Sequence, residues 1–423
     1  MNQVLTSTGN VLADAAQAAA AATFAPSRVP QVEARPERRA RRYTVISVDD
    51  HLVEPPDLFE GRLPAKFRDR EPRVVEADDG SHVWVLDGTV LSQIAINAVA
   101  GQQKDEAFVE PTRFDMVRPG AYDVHQRVAD MDTDGLYASL NFPSLVGFAG
   151  VRLQGLPDQE FALATVRAWN DWHIEEWCGP YPDRLIPCQI PWLNDAELAA
   201  DEIRRNADRG FKAVTFPELP GKLGFEQLSS GFWDPFWKAC EETDTVICVH
   251  TGSSGLPALS EGTDSVGAIF GAGYAMLTTL EWLFARMALR FPGLKICMSE
   301  GGIGWVAGVL DRLDHSENYR DAQIRWEGAV RPADVFRRNF WFCTLNDPSA
   351  MPQRYRIGLD RIMFEVDYPH ADTSWPDTQA RIHSLIGELP EDEANMIAWR
   401  NAAELFRHPV PAAVQADPNT FGR

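Results

Sequence analysis

The chain has 423 residues, 45% of them apolar and 24% charged, with a formal net charge of −21. That composition belongs to a folded protein with ample apolar material for a large core. An acid surplus of this size argues against nucleic acid or an anionic membrane as partner. No uncharged apolar run reaches the ~18 residues of a membrane span, and the Ala-rich stretch at 15–22 lacks the basic segment that opens a signal peptide. Cysteines 178, 188, 240, 248, 297 and 343 form no CxxC pair. They read as reduced core residues of a cytoplasmic protein.

Residues 1–42, which end in the Arg-rich ERRARR, read as a flexible, solvated leader. From residue 43 short apolar runs recur as candidate buried parallel strands. They are 44–49, 139–145, 185–192, 212–218, 245–252, 294–302, 340–345 and 361–370. Helical segments are expected between them at 158–177, 195–210, 232–244, 278–293, 304–315 and 391–407. Eight strands alternating with helices predict an α/β fold, a (β/α)8 TIM barrel spanning 43–408. Long insertions are expected at its C-terminal face. One, about 60–125, carries DDG and LDG turn signals and reads as a small β subdomain. Another, 253–277, is rich in Gly and Ser. Residues 409–423 are left as a C-terminal tail.

The chemistry is expected where these strands end. In SVDDHLVEPPDLF the first strand finishes in Asp49, Asp50 and His51, with Glu54 close behind. The fifth ends at His250, the sixth at Glu300, and the eighth at Asp367 with His370 just beyond. In a barrel these ends meet at one mouth. Asp49 and His51 share a strand face, because side chains alternate. Asp49, His51, His250 and Asp367 make a set of two carboxylates and two imidazoles suited to one divalent ion, Zn2+ first, with Mn2+ or Fe2+ also compatible.

Each residue also has a plainer reading. Asp49 and Asp367 could close turns, and either histidine could be a satisfied core group. Glu300 could pair with a buried arginine, and Glu54 could bond backbone near the Pro55-Pro56 turn. His370 stands as a residue behind the metal ligands, a turn residue or a substrate contact. GGIG at 301–304 could offer N–H groups to an anion or simply turn the chain. The spacing of Trp169, Trp172 and Trp177 points to core, and His315 to a structural helix position.

SVDDHLVEPPDLF, RVADMDTDG (127–135), DRLIPCQIPW, FPGLKICMSEGGIGWV (291–306), MFEVDYPH and NAAELF (401–406) together resemble the amidohydrolase-related family that includes aminocarboxymuconate-semialdehyde decarboxylase. The resemblance runs over about 43–408. It implies a (β/α)8 barrel with one divalent metal held by Asp49, His51, His250 and Asp367, and a homodimer or higher homo-oligomer. Glu300 stands where characterised decarboxylases of that family place a catalytic histidine. The first expectation is therefore metal-dependent hydrolysis of a small organic amide, lactone or C–C bond through a metal-activated water. Asp367 would act as base, Glu300 as proton donor if burial raises its pKa, and His250 as a further catalytic group. The alternative is non-oxidative decarboxylation of an aromatic or enoic acid, with Asp367 protonating carbon.

Overall fold

The computed structural model describes residues 32–102, 110–255, 264–318, 326 and 330–422. Twelve strands occur among them. β1 (Ile46–His51), β5 (Ala138–Phe142), β6 (Leu185–Ile186), β7 (Cys188–Gln189), β8 (Ala213–Thr215), β9 (Val246–His250), β10 (Ile296–Ser299), β11 (Phe340–Thr344) and β12 (Ile362–Phe364) form one parallel sheet. Its order is β6-β5-β1-β12-β11-β10-β9-β8-β7. Pro187 lacks an N–H and splits a single strand into β6 and β7. The two ends of the order are thus pieces of one strand, and the sheet closes into an eight-stranded (β/α)8 barrel.

Almost every residue of these strands is buried. Strands covered on both faces read as continuous apolar runs, which is why all eight were visible in the sequence. The remaining strands, β2 (Arg73–Glu76), β3 (His82–Leu86) and β4 (Thr89–Leu91), make a separate antiparallel sheet. It lies within the expected insertion. Among the described helices none is long and apolar enough to cross a membrane.

Two boundaries differ from expectation. Residues 32–42 are mostly exposed, as a leader would be, yet two of their arginines are tied to the barrel. Arg41 is buried, and donates to the carbonyls of Asp132 at 2.6 Å and Phe421 at 2.6 Å. Arg35 pairs with Asp130 at 2.6 Å. The arginines find carbonyls and carboxylates on the barrel wall, a pairing that local composition cannot reveal; residues 1–31 lie outside the described part. The second difference is the helix Asp264–Phe284, which opens well before residue 278. Its apolar residues outweigh the glycines that suggested a loop. Residues 256–263 of that expected loop lie outside the described part.

Candidate metal centre

The four expected ligand side chains gather around His51 in two overlapping sets, Asp49 with His51 and His250, and Asp367 with His51 and His370. His51 Nε2 lies 3.1 Å from His250 Nε2, 3.5 Å from Asp49 Oδ1 and 3.3 Å from Asp367 Oδ1. His250 Nε2 is 3.6 Å from Asp49 Oδ1. All four side chains are at most 1% exposed. The backbone enforces this. The Asp367 N–H donates to the Asp49 carbonyl at 2.9 Å, and the His51 N–H to the Tyr368 carbonyl at 2.7 Å. Asp367 and Glu300 both sit at positive φ, 56° and 54°. Such backbone costs on the order of 1–3 kcal/mol in a non-glycine residue and is found where function constrains geometry.

The donor set fits a divalent ion. Donors on a tetrahedral shell of ~2.0–2.2 Å radius stand about 3.3–3.6 Å apart, close to the separations among Asp49, His51 and His250 and between His51 and Asp367. His250 Nδ1 lies 2.7 Å from the Thr251 carbonyl. That carbonyl can only accept, so Nδ1 carries the proton and Nε2 turns a lone pair inward. None of the Asp49 or Asp367 carboxylate oxygens has a well-aligned hydrogen-bond donor. Burial pushes both carboxyls well up, and neighbouring acids push further: Glu365 and Glu300 on Asp49, Glu300 and Asp372 on Asp367. Buried anions without donors are stable only beside a cation.

Around this centre the remaining candidates separate. Glu300 Oε2 lies 2.9 Å from His250 Nε2, and its side chain stays 33% exposed towards the mouth. Burial pushes its carboxyl up, but His250 and then His370 outweigh that and its pKa falls below the usual value. The condition set for Glu300 as a proton donor, a raised pKa, is therefore not met. His370 stacks on His51 with ring centroids 3.8 Å apart. Its Nδ1 is 2.9 Å from Asp367 Oδ1, and burial pushes its pKa down to about 4. Glu54 stands apart: it accepts from the Leu145 N–H at 2.6 Å and the Trp169 indole N–H at 3.1 Å. The GGIG turn is also committed inside the protein, since the Ile303 and Gly304 N–H groups reach Asp347 at 3.3 and 3.2 Å.

Several participants carried no signal that sequence reasoning used. Phe148 packs its ring 4.1 Å from His250 and 5.0 Å from His51, forming an aromatic wall. Asp50 accepts from the Tyr368 N–H at 3.0 Å and from the Ser47 and Ser139 hydroxyls, tying β1 to the loop that bears Asp367. Only its place inside the DDH triplet could have drawn attention to it. Glu218, pushed up to about 7 by burial, accepts from the Gly252 N–H at 2.8 Å and steadies the turn after His250.

Residues 82–408 match the family model described as Amidohydrolase. The chain belongs to the amidohydrolase family. The match opens after β1, so Asp49 and His51 lie ahead of it. Among curated relatives, decarboxylase orsB of Emericella nidulans is 28% identical over 166 residues, 30% of this chain and 50% of that protein. The chain thus matches about half the length of that relative. The 2-amino-3-carboxymuconate-6-semialdehyde decarboxylase of Caenorhabditis elegans is 21% identical over 360 residues, 69% of this chain and 83% of that protein. A solved 5-carboxyvanillate decarboxylase from Novosphingobium aromaticivorans is 20% identical, with a TM-score of 0.60, over 89% of this amidohydrolase and 99% of that chain. It was crystallised with manganese and 4-hydroxy-3-methoxy-5-nitrobenzoic acid. At that identity it speaks for the shared barrel alone.

Proposed function

We propose that this amidohydrolase is a metal-dependent, non-oxidative decarboxylase of a small aromatic or enoic carboxylic acid. The observation that carries the reading is the buried cluster around His51, whose Nε2 lies 3.1–3.5 Å from His250 Nε2, Asp367 Oδ1 and Asp49 Oδ1. These four residues would hold the ion. When bound, a divalent ion supplies Lewis-acid charge that anchors a substrate carboxylate and draws electron density from it. Two relatives named as decarboxylases support carboxylate chemistry ahead of the hydrolysis expected first from the sequence.

Asp367 delivers a proton to the carbon that bears the carboxylate. The bond from that carbon to the carboxylate then breaks, its electron pair stays on the ring or alkene carbon, and CO2 leaves. His370, stacked on His51 and beside Asp367 Oδ1, orients that carboxyl group. Phe148 offers its ring to an aromatic substrate and keeps water from the carbon being protonated. Glu300 Oε2 stands 2.9 Å from the same ion-facing His250 Nε2, at the solvent side of the site. A set of two nitrogens and two oxygens accepts Mn2+, Zn2+ or Fe2+. Manganese is the first ion to test, given the solved barrel that contains it.

The test is product analysis with manganese-loaded protein in D2O, on carboxyl-labelled hydroxybenzoates, methoxybenzoates and enoic acids. Labelled CO2 with deuterium at the vacated carbon is expected. Oxygen from water in a product, without CO2, overturns the proposal in favour of hydrolysis. Light scattering on the same sample tests the homo-oligomer expected from the sequence.

A further inference from the structure

A second group of metal-binding side chains lies in the barrel interior on three adjacent strands. Cys343 is on β11, Glu365 follows β12 by one residue, and Asp49 is on β1. One ligand atom from each lies within 4.8 Å of the other two. The three residues are 0%, 3% and 0% exposed. Cys343 Sγ contacts a Glu365 carboxylate oxygen and the Met298 carbonyl at 3.5 Å. Glu365 Oε2 also takes the Glu300 N–H at 3.3 Å. No lysine or arginine pairs with Asp49, Cys343 or Glu365 among the described residues. Asp49 Oδ1 faces the histidines, and its Oδ2 is equally buried without a hydrogen-bond partner.

We propose that Asp49, Cys343 and Glu365 form a second cation site, selective for a thiophilic divalent ion such as Zn2+, joined to the first through the Asp49 carboxylate. The proposal rests on the metal reading of the first site, because the two share Asp49. Geometry supports it: the three donor atoms lie together in the interior, and Asp49 Oδ2 is buried there without a hydrogen-bond partner. On binding, Cys343 would release its proton to solvent and ligate as a thiolate. A shared carboxylate is a familiar bridge between ions ~3.5–4 Å apart. The two sites also differ in softness. The histidine site has only nitrogen and oxygen donors, whereas a thiolate favours zinc over manganese.

The test uses the full chain produced in metal-defined medium supplemented with Co2+. Two cobalt ions per chain are expected, with a near-ultraviolet thiolate-to-cobalt charge-transfer band. Cys343→Ser should bring the count from two to one and abolish the band, with the far-ultraviolet circular dichroism unchanged. Should that variant fail to fold, Glu365→Gln should lower the count in the same way and shift the band. One ion per chain without the band overturns this site and leaves the first standing. One ion with the band, lost in Cys343→Ser, supports this site and removes the first. No bound cobalt overturns both, and a band that survives Cys343→Ser overturns this one.

Discussion

The Asp367 N–H donates to the Asp49 carbonyl at 2.9 Å, so two carboxylates 318 positions apart are joined through their own backbones. The neighbouring pair repeats the link: the Asp50 side chain takes the Tyr368 N–H at 3.0 Å. Both bonds cross the seam between β1 and β12, and together they set where the two Oδ1 atoms point.

Asp50→Ala removes the acceptor for two buried donors, Ser139 and Tyr368, while Ser47 keeps the Asp49 carbonyl. Each orphaned donor costs roughly 1–3 kcal/mol. A loss of about 3 kcal/mol or more in urea unfolding is expected, with metal affinity falling alongside. Stability within 1 kcal/mol of the parent in that titration contradicts the role given to Asp50.

Asp367→Asn keeps the shape of the side chain but withdraws its charge and its transferable proton. Turnover should fall by about three orders of magnitude or more, in the range set by removing a general acid together with a ligand. The fold, read by circular dichroism, should persist. A variant within tenfold of the parent rate removes Asp367 from proton transfer.

Glu300→Gln addresses the pairing with His250. Because the Glu300 pKa is lowered, its carboxylate is charged at neutral pH and loses charge only in acid. The acidic limb of the rate profile should therefore move or vanish in the variant, while the basic limb stays. A lost basic limb in steady-state kinetics restores Glu300 as the proton donor of a hydrolase.

Phe148→Ala deletes the aromatic wall beside His250 and His51. Aromatic pairs contribute about 0.5–1.5 kcal/mol beyond their area, so KM for an aromatic acid should rise roughly two- to tenfold. Metal content, measured by elemental analysis, should not change. An unaltered KM places the substrate elsewhere.

Asp134 offers a stability test away from the metal. Burial pushes its pKa up to about 7, and its Oδ1 accepts the Thr378 N–H at 2.9 Å. In the unfolded chain the group titrates near 3.8, as an ordinary aspartate does. The folded state thus holds the proton more tightly, so this contribution is full below about pH 4 and lost as pH rises to about 7. Asp134→Asn should flatten that slope and gain on the order of a few kcal/mol above pH 7. A pH dependence of chemical unfolding identical to the parent's contradicts this assignment.

The eight barrel strands were readable because each is buried on both faces and so is a continuous apolar run. The metal-ligand candidates were readable for the opposite reason, as polar residues at the ends of those runs. Asp50 and Glu365 share the same runs, yet nothing local separates a structural carboxylate from a ligating one. The direction of the Glu300 pKa depends on His250, 50 positions earlier and 2.9 Å away. The packing of 32–42 depends likewise on Asp130, Asp132 and Phe421.

Alternation of apolar runs and helical stretches determined the barrel and the rim on which chemistry would stand. Only the tertiary structure decided which rim groups meet, how Glu300 is paired, and that Cys343 lies against Glu365. Strand patterning is local, governed by which faces are buried. Distances between ends of different strands depend on register and closure, which are properties of the whole sheet.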